Sequence, residues 1–157
     1  MTPTPPTPEA FALHLDRAMA LAVQAHTGQR DKAGQPYLLH VLRVAMAQTS
    51  PEAQLAGLLH DVVEDSAWTL ADLEAAGFPA SVLEAVALLT KPPGADYLAY
   101  IDRVAVHPIA RAVKRADLQD NMDLTRLSVL TDHDLERLRR YRSAWARLDA
   151  WGAPPSR

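Results

Sequence analysis

Several side chains spread over this 157-residue sequence are able to hold a divalent cation together. They sit in Tyr37-Leu38-Leu39-His40, in His60-Asp61-Val62-Val63-Glu64-Asp65, in Lys114-Arg115-Ala116-Asp117, and at Asn121 one helical turn later. His40, His60, Asp61 and Asp117 together offer imidazole and carboxylate donors, a mixed set that suits Mn, Fe or Zn better than Ca. Around an octahedral ion such a set leaves positions open for water and substrate, as hydrolysis requires. Glu64 lies one turn beyond His60, where a carboxylate can take a proton from an attacking water. Singly, each residue has a plainer reading: His60-Asp61 as a polar fringe, His40 as a packed histidine, Asp117 as the partner of Lys114. The ordered combination argues for the metal.

Helices must position these groups. Residues 9–26 place Phe11, Leu15, Ala18, Met19, Ala22 and Val23 at helical spacing, and Gly28 stops the run. The polar stretch from Gly28 to Pro36 reads as a loop. A second helix is expected from Tyr37 to about Gln48. Ser50-Pro51-Glu52 is a helix start, with Ser as N-cap, Pro at the first position and an acid in the first turn. That helix is expected to run on to about Asp65, so that His60 shares a face with Glu64 and Asp61 with Asp65. Leu55, Ala56, Leu58 and Leu59 make it a buried helix. Charged groups at the end of such a helix are costly unless paired, metal-bound or solvated by a cleft.

Thr69-Leu70-Ala71-Asp72 forms a capping-box pattern and Gly77 a C-terminal cap. Pro79 opens a helix to about Thr90, and Pro92-Pro93-Gly94 breaks the chain. Helices over 95–105, 108–122 and 132–150 follow, and no segment reads as a strand. The expected fold is a single all-α domain of about eight to ten helices over 9–151. A proline-rich tail covers 1–8, and a short breaker segment covers 152–157.

Composition narrows the partners. The net charge of −3 provides no basic field for nucleic acid, so a small anionic substrate must be held by a metal or local cations. The chain has no cysteine, which suits a reducing interior and excludes thiolate sites. No run approaches the ~18 apolar residues of a membrane span, and the N-terminus lacks the basic and apolar regions of a signal peptide. A cytoplasmic protein without membrane partners is expected. A homo-oligomer stays open.

The segments Ala25-His26-Thr27-Gly28-Gln29, Gly34-Gln35-Pro36-Tyr37-Leu38-Leu39-His40, Leu58-Leu59-His60-Asp61-Val62-Val63-Glu64-Asp65 and Lys114-Arg115-Ala116-Asp117-Leu118-Gln119-Asp120-Asn121 resemble the hydrolase domain of the Rel/Spo alarmone enzymes. The likeness is greatest to the small stand-alone, metazoan SpoT homologue-like forms, and it covers about residues 10–150. It implies an HD-type helical fold with one Mn²⁺ per chain, held by His40, His60, Asp61 and Asp117. It further implies that Glu64 and Asp65 position and activate water, and that Tyr37 and Asn121 border the nucleotide. The implied reaction removes pyrophosphate from the 3′ position of guanosine tetra- or pentaphosphate (ppGpp or pppGpp), leaving GDP or GTP. The synthetase domain of the large family members would need far more chain, so alarmone synthesis is not expected. Lys32, Lys114 and Arg115 are candidates for contacts with developing phosphoryl charge.

The sequence departs from the family in three places. Asp31 stands where many members have an arginine that stacks on guanine, so Arg30 or Lys32 must serve instead or base recognition has changed. Val41 replaces a proline, and Asp120 stands where the family often has His or Tyr. These departures keep open other nucleotide substrates (ppApp, a deoxynucleotide monophosphate or NADPH) and a non-catalytic alarmone-binding module. His26 reads as a packing residue near the site and His107-Pro108 as a helix start. The basic run Arg137 to Arg142, with Arg147, reads as a solvated helix face, with a phosphate-facing wall or a subunit contact as the alternatives. Trp145 and Trp151 are expected to dock the last helix.

Overall fold

A computed structural model describes Thr4 and residues 6–151. Helices α1 (Pro8–His26), α2 (Tyr37–Met46), α3 (Pro51–Leu59), α4 (Val62–Asp65), α5 (Leu70–Ala75), α6 (Ala80–Leu89), α7 (Tyr97–Ala105), α8 (Pro108–Asn121) and α9 (Asp132–Ala150) follow one another, with a 3₁₀ turn at Leu124–Arg126 before α9. The described residues contain no strand, only an isolated bridge between Arg30 and Pro36.

The fold is centred on α3. Its residues Ala53 and Leu55 through Leu59 are all buried. A helix that is apolar all round can only sit inside, and α1, α2, α6 and α8 pack around it. The α2–α3 seam is tight at Gly57. A Cβ there would lie 2.9 Å from the Ala45 Cα and 3.2 Å from the Ala45 backbone nitrogen. The last helix, α9, lies across α7 and α8, where Ala144 and Leu148 are buried.

Local chemistry starts most helices. The side chains of Thr7, Ser50, Asp96 and His107 each accept from a backbone N–H in the first turn of α1, α3, α7 and α8. Thr69 with Asp72, and Thr131 with Asp134, form reciprocal capping boxes on α5 and α9. Gly77 follows α5 with φ of 85°, a backbone region open to glycine.

Three expectations need correction. The helix expected over 51–65 is broken: α3 ends at Leu59, and Asp61 adopts φ −107° and ψ 0° before α4 begins. The His60 Nδ1 atom donates to the carbonyl of Gly57 at 2.6 Å, so the side chain folds back on its own helix where the backbone turns away. The proline-rich tail expected over 1–8 ends earlier, because Thr7 caps α1 and Pro8 begins it; residues 1–3 and 5 lie outside the described residues, as does the segment 152–157. Trp145 packs against the core, whereas Trp151 is 48% exposed and is not part of the buried core. No helix among the described residues is long and apolar enough to cross a membrane.

Candidate metal centre

Three junctions of the fold converge on one point. His40 projects from the first turns of α2, His60 and Asp61 occupy the break between α3 and α4, and Asp117 lies late in α8. Because α2 and α8 both pack on α3, residues distant in sequence meet. One ligand atom from each of His40, His60 and Asp61 falls within 4.8 Å of the others. The Asp61 Oδ2 atom is 2.9 Å from the His60 Nε2 and 3.9 Å from the His40 Nε2. The Asp117 Oδ1 atom is 3.1 Å from the His40 Nε2 and 3.8 Å from the His60 Nε2.

The hydrogen bonds on the far side of each ring decide what this cluster accepts. A carbonyl oxygen can only accept, so the His60 Nδ1 carries the proton it gives to Gly57. The His40 Nδ1 lies 2.6 Å from the Asp120 Oδ2, and by the same logic donates to it. Both Nε2 atoms therefore face inward, buried and without a hydrogen bond, where each can take a proton or, once deprotonated, turn a lone pair to a metal. Lone pairs facing carboxylate oxygens at these distances need a cation between them, and the donor set fits a divalent metal.

In the metal-free site the surrounding carboxylates favour a proton on each ring. Burial works against a charged His60, yet Asp61 and Asp117 outweigh it and hold the imidazole well above its ordinary value. Burial opposes charge on His40 too, and Asp117 and Asp120 raise it. Burial would lift Asp117, but the Lys114 ammonium and the two imidazoles hold it well below the usual carboxylate range. Lys114 donates to the Asp117 Oδ2 at 2.8 Å and Asn121 to its Oδ1 at 2.9 Å. The Tyr37 hydroxyl donates to the Asp61 Oδ2 at 2.5 Å, and burial followed by the Asp61 charge keeps it protonated.

Two adjoining cavities open from this centre. The one beside the cluster, about 320 Å³, is lined by His60, Asp61, Glu64, Lys114 and Asp117 among others. The Glu64 Oε2 accepts from the Lys91 backbone N–H at 3.4 Å, which holds the carboxylate at the cavity wall, and burial raises its proton affinity. Asp65 does not line this cavity. Its backbone carbonyl accepts from the Gln29 side chain at 2.9 Å, and burial followed by the Asp61 and Glu64 charges pushes its carboxyl up to about 6. The second cavity, about 180 Å³, is lined by Arg30 and Lys32, and it shares Tyr37, Asn121 and Tyr141 with the first. Arg115 is placed apart from both, over the Trp145 ring and paired with Asp149.

Lys91 and Tyr97, which the sequence does not single out, line the chamber beside the cluster, together with Arg140 and Tyr141 of the run for which a phosphate-facing wall is the alternative. Tyr97 and Lys91 flank the Pro-Pro-Gly break and carry no periodic signal. Arg140 belongs to the basic run expected to be a solvated face. Arg140 is exposed, as expected of that run, and it also stands over the Tyr97 ring at the cavity, while Arg137 pairs with Asp134 and Arg147 with Asp102. Asp31 lines the second cavity, and its Oδ1 accepts from the backbone N–H groups of Ala33 and Gln35, both at 2.9 Å, and so ties its own loop. His26 packs as expected, buried against the Tyr37 ring at 5.2 Å and bonded to Gln29.

Comparison with known proteins agrees with this geometry. A profile of the HD domain matches residues 18–126. Over 88 residues the chain is 38% identical to the bifunctional (p)ppGpp synthase/hydrolase SpoT of Escherichia coli K12, covering 54% of this chain and 12% of that protein. Over 63 residues it is 43% identical to the GTP pyrophosphokinase of Streptomyces coelicolor, covering 38% of this chain and 7% of that protein. The chain thus spans only a small part of the length of these relatives. A solved metazoan ortholog of SpoT, one that hydrolyses ppGpp, shares the fold with a TM-score of 0.73 at 23% identity, covering 96% of this chain and 91% of that one.

Proposed function

The chain belongs to the HD-domain family, and from that premise we propose that it is a Mn²⁺-dependent hydrolase that removes the 3′-pyrophosphate of guanosine tetra- or pentaphosphate. The observation that carries this reading is the pair of buried, unpartnered Nε2 atoms of His40 and His60 facing Asp61 and Asp117. Those residues would hold the ion, one per chain. When bound, a divalent cation polarises phosphoryl oxygen and acidifies water.

The chain's own residues account for the rest. Glu64, fixed at the cavity wall by Lys91, accepts the proton of the attacking water at its carboxylate. Asp65, the next residue on the same short helix, is the second acid assigned to positioning the water. The water oxygen joins the phosphorus nearest the ribose, the bond to the 3′-oxygen breaks, and that oxygen takes up a proton as the 3′-hydroxyl. Lys114, Lys91 and Arg140 face the cavity where charge builds on the phosphoryl oxygens. Tyr37 and Asn121 stand where the two cavities meet, and Arg30 and Lys32 line the second cavity, which suits a base and sugar. The names of the relatives support this substrate.

One observation favours a second reading, an HD phosphohydrolase for another nucleotide such as ppApp, a deoxynucleotide monophosphate or NADPH. Asp31 is committed to its own loop, and no arginine occupies its place to stack on guanine. A product assay in Mn²⁺ with these substrates in parallel separates the readings. Pyrophosphate from ppGpp supports the first; turnover of another nucleotide alone, with pyrophosphate from ppApp or orthophosphate from a deoxynucleotide monophosphate or NADPH, supports the second. Glu64→Gln is expected to bind Mn²⁺ normally and to lose turnover; a folded Glu64→Gln protein of full activity would remove Glu64 from its role. Nucleotide binding without turnover of anything would leave an alarmone-binding module.

A further inference from the structure

The two inward-facing imidazoles are held from behind in different ways. His60 leans on a neutral group of its own helix, the Gly57 carbonyl. His40 leans on a carboxylate from another helix: its Nδ1 is 2.6 Å from the Asp120 Oδ2. Asp120 is itself gripped. The Arg43 Nε donates to its Oδ1 at 2.6 Å and the Arg43 Nη2 to its Oδ2 at 3.1 Å. The Arg126 Nη2 reaches the same Oδ2 at 3.4 Å and the Asp120 backbone carbonyl at 3.2 Å.

The spacing gives these contacts a direction. Arg43 follows His40 by one turn of α2, and Asp120 follows Asp117 by one turn of α8. A single turn of α8 therefore presents Asp117 to the centre and Asp120 to the back of the facing imidazole. Asp120 lines neither cavity, and its side chain is 11% exposed. A bidentate guanidinium fixes the carboxylate plane, which fixes the ring that donates to it. An ion pair kept only to join α2 and α8 would have no need of a buried imidazole as a third member, and exposed pairs of that kind stabilise little.

We propose that Asp120, clamped by Arg43 and Arg126, is the positioning residue that locks His40 with its proton on Nδ1 and its Nε2 lone pair directed at the metal. This rests on the metal reading above. A charged acceptor behind a ligand imidazole makes the ring a stronger donor and removes its freedom to rotate. Loss of such a partner typically weakens metal binding by about 10–100-fold.

The test is direct Mn²⁺ binding, read from the electron paramagnetic resonance signal of the free ion, to metal-free wild type, Asp120→Asn and Arg43→Met, with the metal-free melting temperature of each. Asp120→Asn is expected to bind Mn²⁺ about 10–100-fold more weakly, and Arg43→Met to shift affinity in the same direction by less. An Asp120→Asn protein that melts lower yet keeps wild-type affinity overturns the inference and leaves a structural ion pair. Wild type that binds no Mn²⁺ overturns the metal reading itself. A second measurement needs no variant. In wild type loaded with diamagnetic Zn²⁺, ¹⁵N spectra should place the His40 proton on Nδ1 and the metal on Nε2. The reverse assignment overturns the inference.

Discussion

Gly57→Ala is expected to disturb the metal centre from a position that supplies no ligand, only the backbone carbonyl that receives the His60 Nδ1–H. The added Cβ would lie 2.9 Å from the Ala45 Cα, well inside the separation at which carbon atoms attract. The obstacle is backbone, so it cannot rotate away. Overpacking of this kind costs about 1–3 kcal/mol, while alanine regains about 1 kcal/mol of helix propensity over glycine. The net loss is about 0–2 kcal/mol, or up to about 8 °C in melting temperature for a chain of this size. The seam that must open separates α2, which carries His40, from α3, whose Gly57 carbonyl receives the His60 Nδ1–H. Mn²⁺ affinity is therefore expected to fall together with stability. Thermal melts by circular dichroism, with and without Mn²⁺, read both. Ala45→Gly is not expected to rescue the variant, because the nearest clash is with the Ala45 Cα. A Gly57→Ala protein that melts at or above wild type with unchanged Mn²⁺ affinity would refute the reasoning.

Three further outcomes are expected. Lys114→Met strands the buried Asp117 carboxylate without its ammonium. It should destabilise the metal-free protein by about 3–5 kcal/mol and be partly restored by Mn²⁺, as urea unfolding in both states would register. Saturating Mn²⁺ should raise the wild-type melting temperature in a dose-dependent way, by about 2.7 kcal/mol of stability at 100-fold over the dissociation constant, and chelation should reverse it; a melt indifferent to Mn²⁺ and chelator would count against the centre. Thr131→Ala removes the cap that starts α9, the helix carrying Arg140 and Tyr141, and should cost about 0.5–2 kcal/mol in urea unfolding. The reciprocal Asp134 sits below its ordinary value because it accepts from the Thr131 backbone N–H. Thr131→Ala keeps that N–H and loses the hydroxyl from which Asp134 also accepts; the hydroxyl's share of the stabilisation is present above the unfolded-chain value and lost as pH falls through the folded one, so that share of the wild-type advantage should shrink on acidification.

The helix starts are legible in the sequence because capping is local chemistry: Ser50, Thr69, His107 and Thr131 act within four residues of themselves. The buried character of α3 follows equally from its unbroken apolar run. The break at His60-Asp61 is not legible, since nothing in Leu-Leu-His-Asp-Val-Val departs from a helical pattern. The turn depends on the Gly57 carbonyl and on groups of α2 and α8. Asp120 is visible in the sequence only as a departure from the family, and Arg43 only as a polar residue on a helix. Their joint hold on His40 exists once α2 and α8 meet. Lys91, Tyr97 and Arg140 join the site through packing across long sequence separations, which no local spacing encodes.

The central claim is that His40, His60, Asp61 and Asp117 hold a metal that drives release of 3′-pyrophosphate. Its most direct test is pyrophosphate release from ppGpp by metal-free protein reconstituted with Mn²⁺, alongside the same protein in excess chelator and an Asp61→Ala variant. The account predicts stoichiometric GDP and pyrophosphate in the first and neither product in the other two. Turnover that survives both chelation and Asp61→Ala would contradict it.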